Sequence, residues 1–275
     1  MKATIIINTN NQNAFLKRAI ESAINQKYSN CEVIVSNLSK KKDLNIEKEF
    51  KNNKKIKFLN LKEKFLYPTQ NQLYAIKEAL KYSNGQYVFL LDGDDYFKKN
   101  KINKIFIHIK RGEKLLIDKP IVFDELTKKN LKKMRIKSLK KNFFYKTLVN
   151  NWPSITCTSG FTVKKKVIEK FFKEIKTFKY KHLAIDIQLA TFINSEFDIK
   201  YLDEDLTFKS QNIKNLDKAY SNILSKKFWL RRNEQHDFFI NEIKKNKLFK
   251  GFDFYITRII NFFIKNYFFK KALFK

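Results

Sequence analysis

Three carboxylates fall within four residues at Asp92-Gly93-Asp94-Asp95, where Gln86–Asp92, the most apolar strand-like run of the chain, meets its loop. Carboxylates so close repel one another unless a cation sits among them. Hard oxygen ligands of this kind suit Mg²⁺ or Mn²⁺, which keep several waters and complete their shell with substrate phosphates. Asp and Gly are also ordinary turn residues, so the four could equally be a polar turn. Context favours chemistry, because a strand precedes them and an Asn84-Gly85 stop precedes that strand. Further on, Arg231 and Arg232 stand beside aromatics in Phe228-Trp229-Leu230-Arg231-Arg232. Such a pair either clamps a phosphate or sugar or caps a helix junction. His108, His182 and His236 share no metal-ligand spacing and read as surface residues.

The elements that must position these groups alternate two periods. Thr4–Asn8 is a β-branched run, and Asn13–Gln26 puts Phe15, Leu16, Ala19, Ile20, Ala23 and Ile24 on one helical face. Glu32–Ser36 and Ile56–Leu61 read as strands, with a polar, weakly helical segment, Leu38–Asn53, between them. Thr69–Ser83 carries Leu73, Ile76, Ala79 and Leu80 at helical spacing, with Thr69 as the expected N-cap. Strand-helix alternation with short connections implies parallel pairing through right-handed crossovers. Ligands on such a sheet sit at the carboxyl ends of the strands. That directs attention to Asn8–Asn11, Ser36–Ser39 and Asp92–Asp95. Downstream, Pro120–Phe123 is a candidate strand and Thr127–Lys141 a basic helix or loop. Gly160–Val163 leads into a helix with Val167, Ile168, Phe171, Phe172 and Ile175. Another helix is expected near Leu183–Asn194, then short strands near Ile199–Leu202 and Leu206–Lys209, and only helix after Asn215.

With 43% apolar and 15% aromatic residues, 28 of them Phe, the 275-residue chain has ample core material and is not a disordered polymer. Its formal net charge of +31 attracts anions: nucleic acid, acidic lipid or a phosphorylated substrate. Abundant Lys, Asn, Ile and Phe beside only 5 Gly and 3 Pro also fit an AT-rich coding bias, which would account for much of that charge without any partner. Cys31 and Cys157 are too few for a disulfide framework, so a reducing compartment is expected. The N-terminus carries no signal-peptide core, and no uncharged run approaches the ~20 residues of a spanning helix. A cytoplasmic location follows as the expectation. From Phe252 to Phe274, apolar residues occupy most of a helix, interrupted by a polar stripe of Arg258, Asn261 and Lys265, with Lys270, Lys271 and Lys275 at its end. Such a helix either lies on an anionic membrane surface or packs on the protein or a second copy.

Several of these stretches resemble the family 2 glycosyltransferases of the GT-A fold. Thr4-Ile-Ile-Ile-Asn-Thr-Asn-Asn-Gln, Leu16-Lys-Arg-Ala-Ile-Glu-Ser-Ala-Ile-Asn-Gln-Lys-Tyr and Glu32-Val-Ile-Val-Ser look like that family's opening. Asn71 through Ala79-Leu80 and Asn84-Gly-Gln-Tyr-Val-Phe-Leu-Leu-Asp-Gly-Asp-Asp resemble its second block and Asp-x-Asp-Asp signature. A looser likeness continues through Thr158-Ser159-Gly160-Phe-Thr-Val and Ala184-Ile-Asp186-Ile-Gln-Leu. The resemblance implies an α/β, Rossmann-like, mostly parallel sheet flanked by helices over residues 1–210; it weakens beyond, where the residues themselves read as a helical, basic-aromatic extension over 211–275.

It also implies transfer of a sugar, with inversion, from a nucleotide-sugar donor, UDP-linked as first choice, to a hydroxyl of a cell-envelope glycan or lipid-linked glycan acceptor. In that scheme Asp186 is the general base. Asp94 is the leading ligand of Mn²⁺ or Mg²⁺, Asp92 reaches metal or donor ribose, and Asp95 supports them. Asn8, Thr9, Asn10, Asn37, Asn71 and Gly93 hold the donor, while Ser159, Gly160, Arg231 and Arg232 are acceptor candidates. The chain departs from the family where Asn8-Thr-Asn-Asn replaces Pro-Thr-Tyr-Asn, where Ser36-Asn37 replaces paired Asp, and where Ile185 replaces an acidic neighbour of the base. An Asn amide can still pair with a base edge. Two other classes compete. A basic nucleic-acid-binding protein would show a recognition-module signature, and none is found, so no nucleic-acid partner is expected. A nucleotidyltransferase using the same carboxylates would release pyrophosphate. Work at the inner membrane face, as a peripheral protein, is the expected setting.

Overall fold

The isoleucine run at the N-terminus forms an interior strand of a seven-stranded sheet, because residues apolar on both faces are stable only where both faces are covered. A computed structural model of the chain describes residues 1–10, 13–40, 44–109, 112–134, 153, 155–211, 220, 222–243 and 251–273. In chain order the elements are β1 (Ala3–Thr9), α1 (Asn13–Ile24), β2 (Cys31–Asn37), α2 (Leu44–Phe50), β3 (Ile56–Asn60), α3 (Pro68–Leu80) and β4 (Tyr87–Asp92). Next come β5 (Tyr96–Phe97), α4 (Lys101–Ile109), β6 (Leu115–Ile117), β7 (Ile121–Asp124), β8 (Asn130–Lys133), β9 (Phe161–Lys164) and α5 (Lys165–Glu174). The chain continues through α6 (Ile185–Glu196), β10 (Ile199–Tyr201), β11 (Thr207–Gln211), α7 (Lys226–Glu242) and α8 (Phe252–Leu273).

The main sheet is ordered β10-β6-β9-β4-β1-β2-β3. Its β3, β2, β1 and β4 run parallel, as the intervening helices require, while β9 enters antiparallel between β4 and β6. Side chains alternate across it. Ile5, Ile7, Val33, Val35, Phe89 and Leu91 face α1 and α4, whereas Ile6, Ile34, Val88 and Leu90 face α3, α5 and α6. A second sheet, β5-β11-β7-β8, stands beside the carboxyl end of β4. Register sets the site's floor: Asn8 lies between Ser36 and Asp92, and Thr9 opposite Asn37, so the polar strand ends share one edge.

Four expectations need correction. Phe161–Lys164, read as the approach to a helix, is strand β9, too short to show a period. Thr69 is not the N-cap of α3; Tyr67 is, with Pro68 at the first helical position, where a missing N–H costs nothing. Part of the basic Thr127–Lys141 segment is the exposed strand β8, and the segment beyond Met134 lies outside the described residues, as does Asn11. His236 is fully buried rather than on the surface.

Candidate functional site

The acidic tip of β4 is held from four sides. Asn8 at the end of β1 donates to Asp92 Oδ1 at 2.8 Å, and Gln72 on α3 donates to the same oxygen at 3.0 Å. The Asp92 backbone N–H donates to Ser159 Oγ at 3.0 Å, and that hydroxyl donates onward to Asp95 Oδ2 at 2.6 Å. From β11, the Ser210 N–H donates to Asp95 Oδ1 at 2.8 Å. Burial and the negative charge of Asp94 push the Asp92 carboxyl up to about 6. The same two causes, with Asp92 added, hold Asp95 well above the usual carboxylate range. Lys209 on β11 acts the other way, its charge favouring the Asp92 carboxylate.

This strain tests the site for a cation. A divalent ion shared by Asp94 and Asp92 would relieve the crowding, leaving other positions for water and phosphate, so these two residues fit Mn²⁺ or Mg²⁺. Asp95 supports them, each of its oxygens accepting one hydrogen bond, from Ser159 and from Ser210. Its observed work is to tie β4 to the second sheet. Among the described residues no group of three or more His, Cys, Asp or Glu gathers at one point.

Beneath the tip lies an ionic framework whose members are single residues on separate elements. Lys101, fully buried on α4, donates to Asp118 Oδ1 (2.9 Å), Ser159 O (2.7 Å) and Thr207 Oγ1 (2.6 Å). Burial drives the Lys101 ammonium down and the Asp118 carboxyl up, and their mutual attraction opposes both shifts. Arg18 on α1 bonds both oxygens of Glu125 (2.5 and 3.2 Å), the Asp94 carbonyl (3.0 Å) and Ser210 Oγ (2.9 Å), and lies 4.4 Å over the Tyr96 ring. Gln72, Lys101, Arg18 and Lys209 all escaped sequence reading. Their one legible signal was a polar or charged residue standing within an apolar helical or strand stretch.

The other predicted residues divide sharply. Thr9 is 1% exposed and its Oγ1 has no hydrogen-bond partner among the described residues. Asn37 spends its Oδ1 on the Ser39 N–H at 2.9 Å, and Asn10 bridges to Glu63 at 2.9 Å. Gly93 donates its N–H to the Asn8 carbonyl at 2.8 Å, pinning the start of the acidic loop. Asn71 does not present its amide to the strand ends: it accepts from Lys64 N–H (3.1 Å) and Phe65 N–H (2.9 Å) and donates to Phe65 O (2.8 Å). It clamps the loop ahead of α3. Ser159 and Gly160, expected at the acceptor, are buried under the acidic tip, and a Cβ on Gly160 would meet Thr156 Oγ1 at 2.8 Å. Arg231 donates to Tyr220 O at 2.7 Å, and Arg232 pairs with Asp253 at 2.6 Å across the α7–α8 junction. Arg232 thus ties α7 to α8, while Arg231 ties α7 to Tyr220.

Asp186 stands in the first turn of α6, where the helix dipole favours a carboxylate, and its Oδ1 accepts from Ile187 N–H at 2.8 Å. The loop before it is anchored on α3. The Thr69 hydroxyl donates to Lys181 O, and Gln70 donates to Phe178 O at 2.6 Å. Thus one helix holds the Asp186 loop by its first turn and Asp92 by Gln72. His182 adds a second anchor, its N–H donating to Glu234 at 2.7 Å and its ring bonding Tyr220 OH at 3.1 Å.

Three solved structures share this architecture, all of S. aureus TarS residues 1–349. The form without a ligand in its description has a TM-score of 0.63 at 16% identity, covering 94% of this chain and 71% of that one. The complex with UDP scores 0.61 at 16% identity, covering 88% and 66%. The complex with UDP-GlcNAc scores 0.61 at 17% identity, covering 88% and 67%. The chain spans 40% of a longer TarS structure. At such identities the likeness shows the fold, GT-A, with helices after the sheet. No curated protein matches the chain in sequence. The sequence model of Glycosyl transferase family 2 matches residues 4–172, which take in β1 through β9 and every residue at the acidic tip except those of β11. By that match over more than half its length, the chain belongs to glycosyltransferase family 2.

Proposed function

We propose that the protein transfers a sugar, with inversion, from a UDP-linked donor to a hydroxyl of a cell-envelope glycan or its lipid-linked precursor, working peripherally at the inner membrane face. The observation that carries this is the Asp92–Asp94 pair at the carboxyl end of β4, with Asp94 buried and the half-buried Asp92 held by the Asn8 and Gln72 amides. That is where an open α/β sheet receives a nucleotide. The TarS structures described with UDP and UDP-GlcNAc support the choice of donor.

In this reading Thr9 Oγ1 and the Asn37 amide N–H address the uracil and ribose, since the Asn37 carbonyl is already committed to its turn. Asn10 lines the rim. Asp94 and Asp92 would hold Mn²⁺ or Mg²⁺, with Asp95 in support, and the ion would supply Lewis-acid neutralisation of the diphosphate's charge. Lys209 adds positive charge on the same side. Asp186, in the first turn of α6, takes the proton of the attacking hydroxyl, and a single base suits a one-step inverting displacement.

A thermal-shift panel of nucleotide sugars with and without Mn²⁺ tests the donor: UDP-sugars should stabilise the fold, more so with the ion. Asp94→Ala should abolish both transfer and ion-assisted binding. Asp186→Asn should abolish transfer while leaving the donor-induced shift in place. Full turnover by Asp186→Asn would remove that residue from the mechanism.

A further inference from the structure

Helix α8 is packed with its polar face inward. Thr257 and Asn261 are 1% and 3% exposed, Asn261 donates to the Trp229 carbonyl of α7 at 3.0 Å, and Arg258 pairs with Asp237 and bonds Asn233. Phe252, Tyr255, Ile259, Phe262 and Phe263, on the opposite side, are 53–64% exposed. At 3.6 residues per turn they form one continuous stripe. An ordinary surface helix buries such a stripe and shows water its polar side, so the arrangement here is inverted. A patch this apolar marks an interaction surface.

Charge says what covers it. Lys265 beside the stripe and Lys226 and Lys227 at the start of α7 are exposed. The acids of the helix pair point inward instead, Asp253 to Arg232 and Asp237 to Arg258. Among the described residues the outer face therefore offers aromatic and aliphatic side chains with lysine beside them, and none of its exposed residues is a carboxylate that would repel a negative surface. On these grounds we infer that the outer face of α8 is the element that docks the protein on an anionic lipid bilayer. Rings and aliphatic chains enter the headgroup boundary, and the lysines meet lipid phosphates. Among the described residues no helix is long and apolar enough to cross a membrane, so α8 lies along the surface.

The docking face also has a geometric relation to the candidate site. Helix α7 holds α8 on one side, while its Glu234 holds His182, in the loop that leads into Asp186, and its Arg231 holds Tyr220, whose hydroxyl meets the His182 ring. One helix thus separates bilayer from candidate base. In assigning a membrane-borne acceptor the inference rests on the proposed activity; the docking itself does not.

The test is co-sedimentation of the full chain with phosphatidylglycerol-containing vesicles and with pure phosphatidylcholine vesicles, at low and raised salt. The protein should pellet with the anionic vesicles only and be released by salt. Phe262→Glu combined with Phe263→Glu should weaken that binding by about tenfold or more, while the UDP-sugar thermal shift persists. Undiminished binding of the double variant would show that diffuse basic charge, not α8, does the docking, and would overturn the inference. So would failure of the unaltered chain to pellet, or light scattering showing a dimer that the double variant dissociates. Vesicle binding without any donor-induced shift would instead sink the enzymatic reading and leave the docking intact.

Discussion

Asp92 shows how single hydrogen bonds tune the candidate site. Its carboxyl, already lifted to about 6 by burial and by Asp94, is kept from rising further by the amides of Asn8 and Gln72. Gln72→Leu deletes one of these donors with little change of volume. We expect ion-assisted donor binding to weaken about tenfold, the worth of one hydrogen bond to a charged group, with the melting temperature nearly unchanged; titration calorimetry in Mn²⁺ checks it. Lys101 predicts the opposite pattern. Removing its charge strands Asp118 in a dry site, so Lys101→Met should cost about 3–5 kcal/mol in denaturant unfolding. Lys101→Met with Asp118→Leu should recover most of that loss, because no lone charge remains buried. Legibility at this scale follows the same division. Asp92, Asp94 and Asp186 could be nominated as candidates because each is a carboxylate standing at or just beyond a strand or helix end. Gln72 and Lys101 were not, since their roles depend on what faces them from elements 17 to 106 residues away.

Strong local periodicity decided which elements could be read. β1, β2, β4, α1 and α3 each run five residues or more with one apolar pattern, and each was legible within a few residues. β5, β6 and β9 are two to four residues long, and their partners lie far along the chain, so their pairing is a tertiary choice that no window of sequence contains. The α3–β4 turn is an intermediate case. Asn84-Gly85 read as a stop, but the reason for glycine is contact rather than φ: a Cβ there would lie 2.4 Å from the Thr4 backbone N in β1. Gly85 also donates its N–H to Thr4 Oγ1 at 2.8 Å. Gly85→Ala should therefore push the turn off β1 and destabilise the fold by about 2 kcal/mol or more, seen as a lowered melting temperature. Donor-induced stabilisation should survive once the variant is cooled below its own transition.

Across the whole molecule, the helical pair joins the sheet through α7, which buries Phe238 against Tyr180 and places His236 where no water reaches it. Burial holds the His236 ring down to about 4, with Arg232 and Arg258 adding to the effect and Asp253 and Asp237 opposing it. Above about pH 6.5 neither the folded nor the unfolded chain protonates this ring, so its contribution to stability is complete. As pH falls from there toward 4, the unfolded chain takes a proton that the folded chain refuses, and stability drops by up to about 3 kcal/mol. Below 4 this group causes no further loss. Because His236 faces Asp253 at the α7–α8 junction, the loss should appear first as loosening of that junction. Thermal melts between pH 7.5 and 5 should show a falling transition temperature, and hydrogen exchange should quicken in α8 before it quickens in β1 or β4. His236→Gln should flatten the pH dependence over this window while leaving the pH 5 stability little changed. An equally steep decline in that variant would mean that carboxylates elsewhere, and not this ring, set the acid limit of the helical pair.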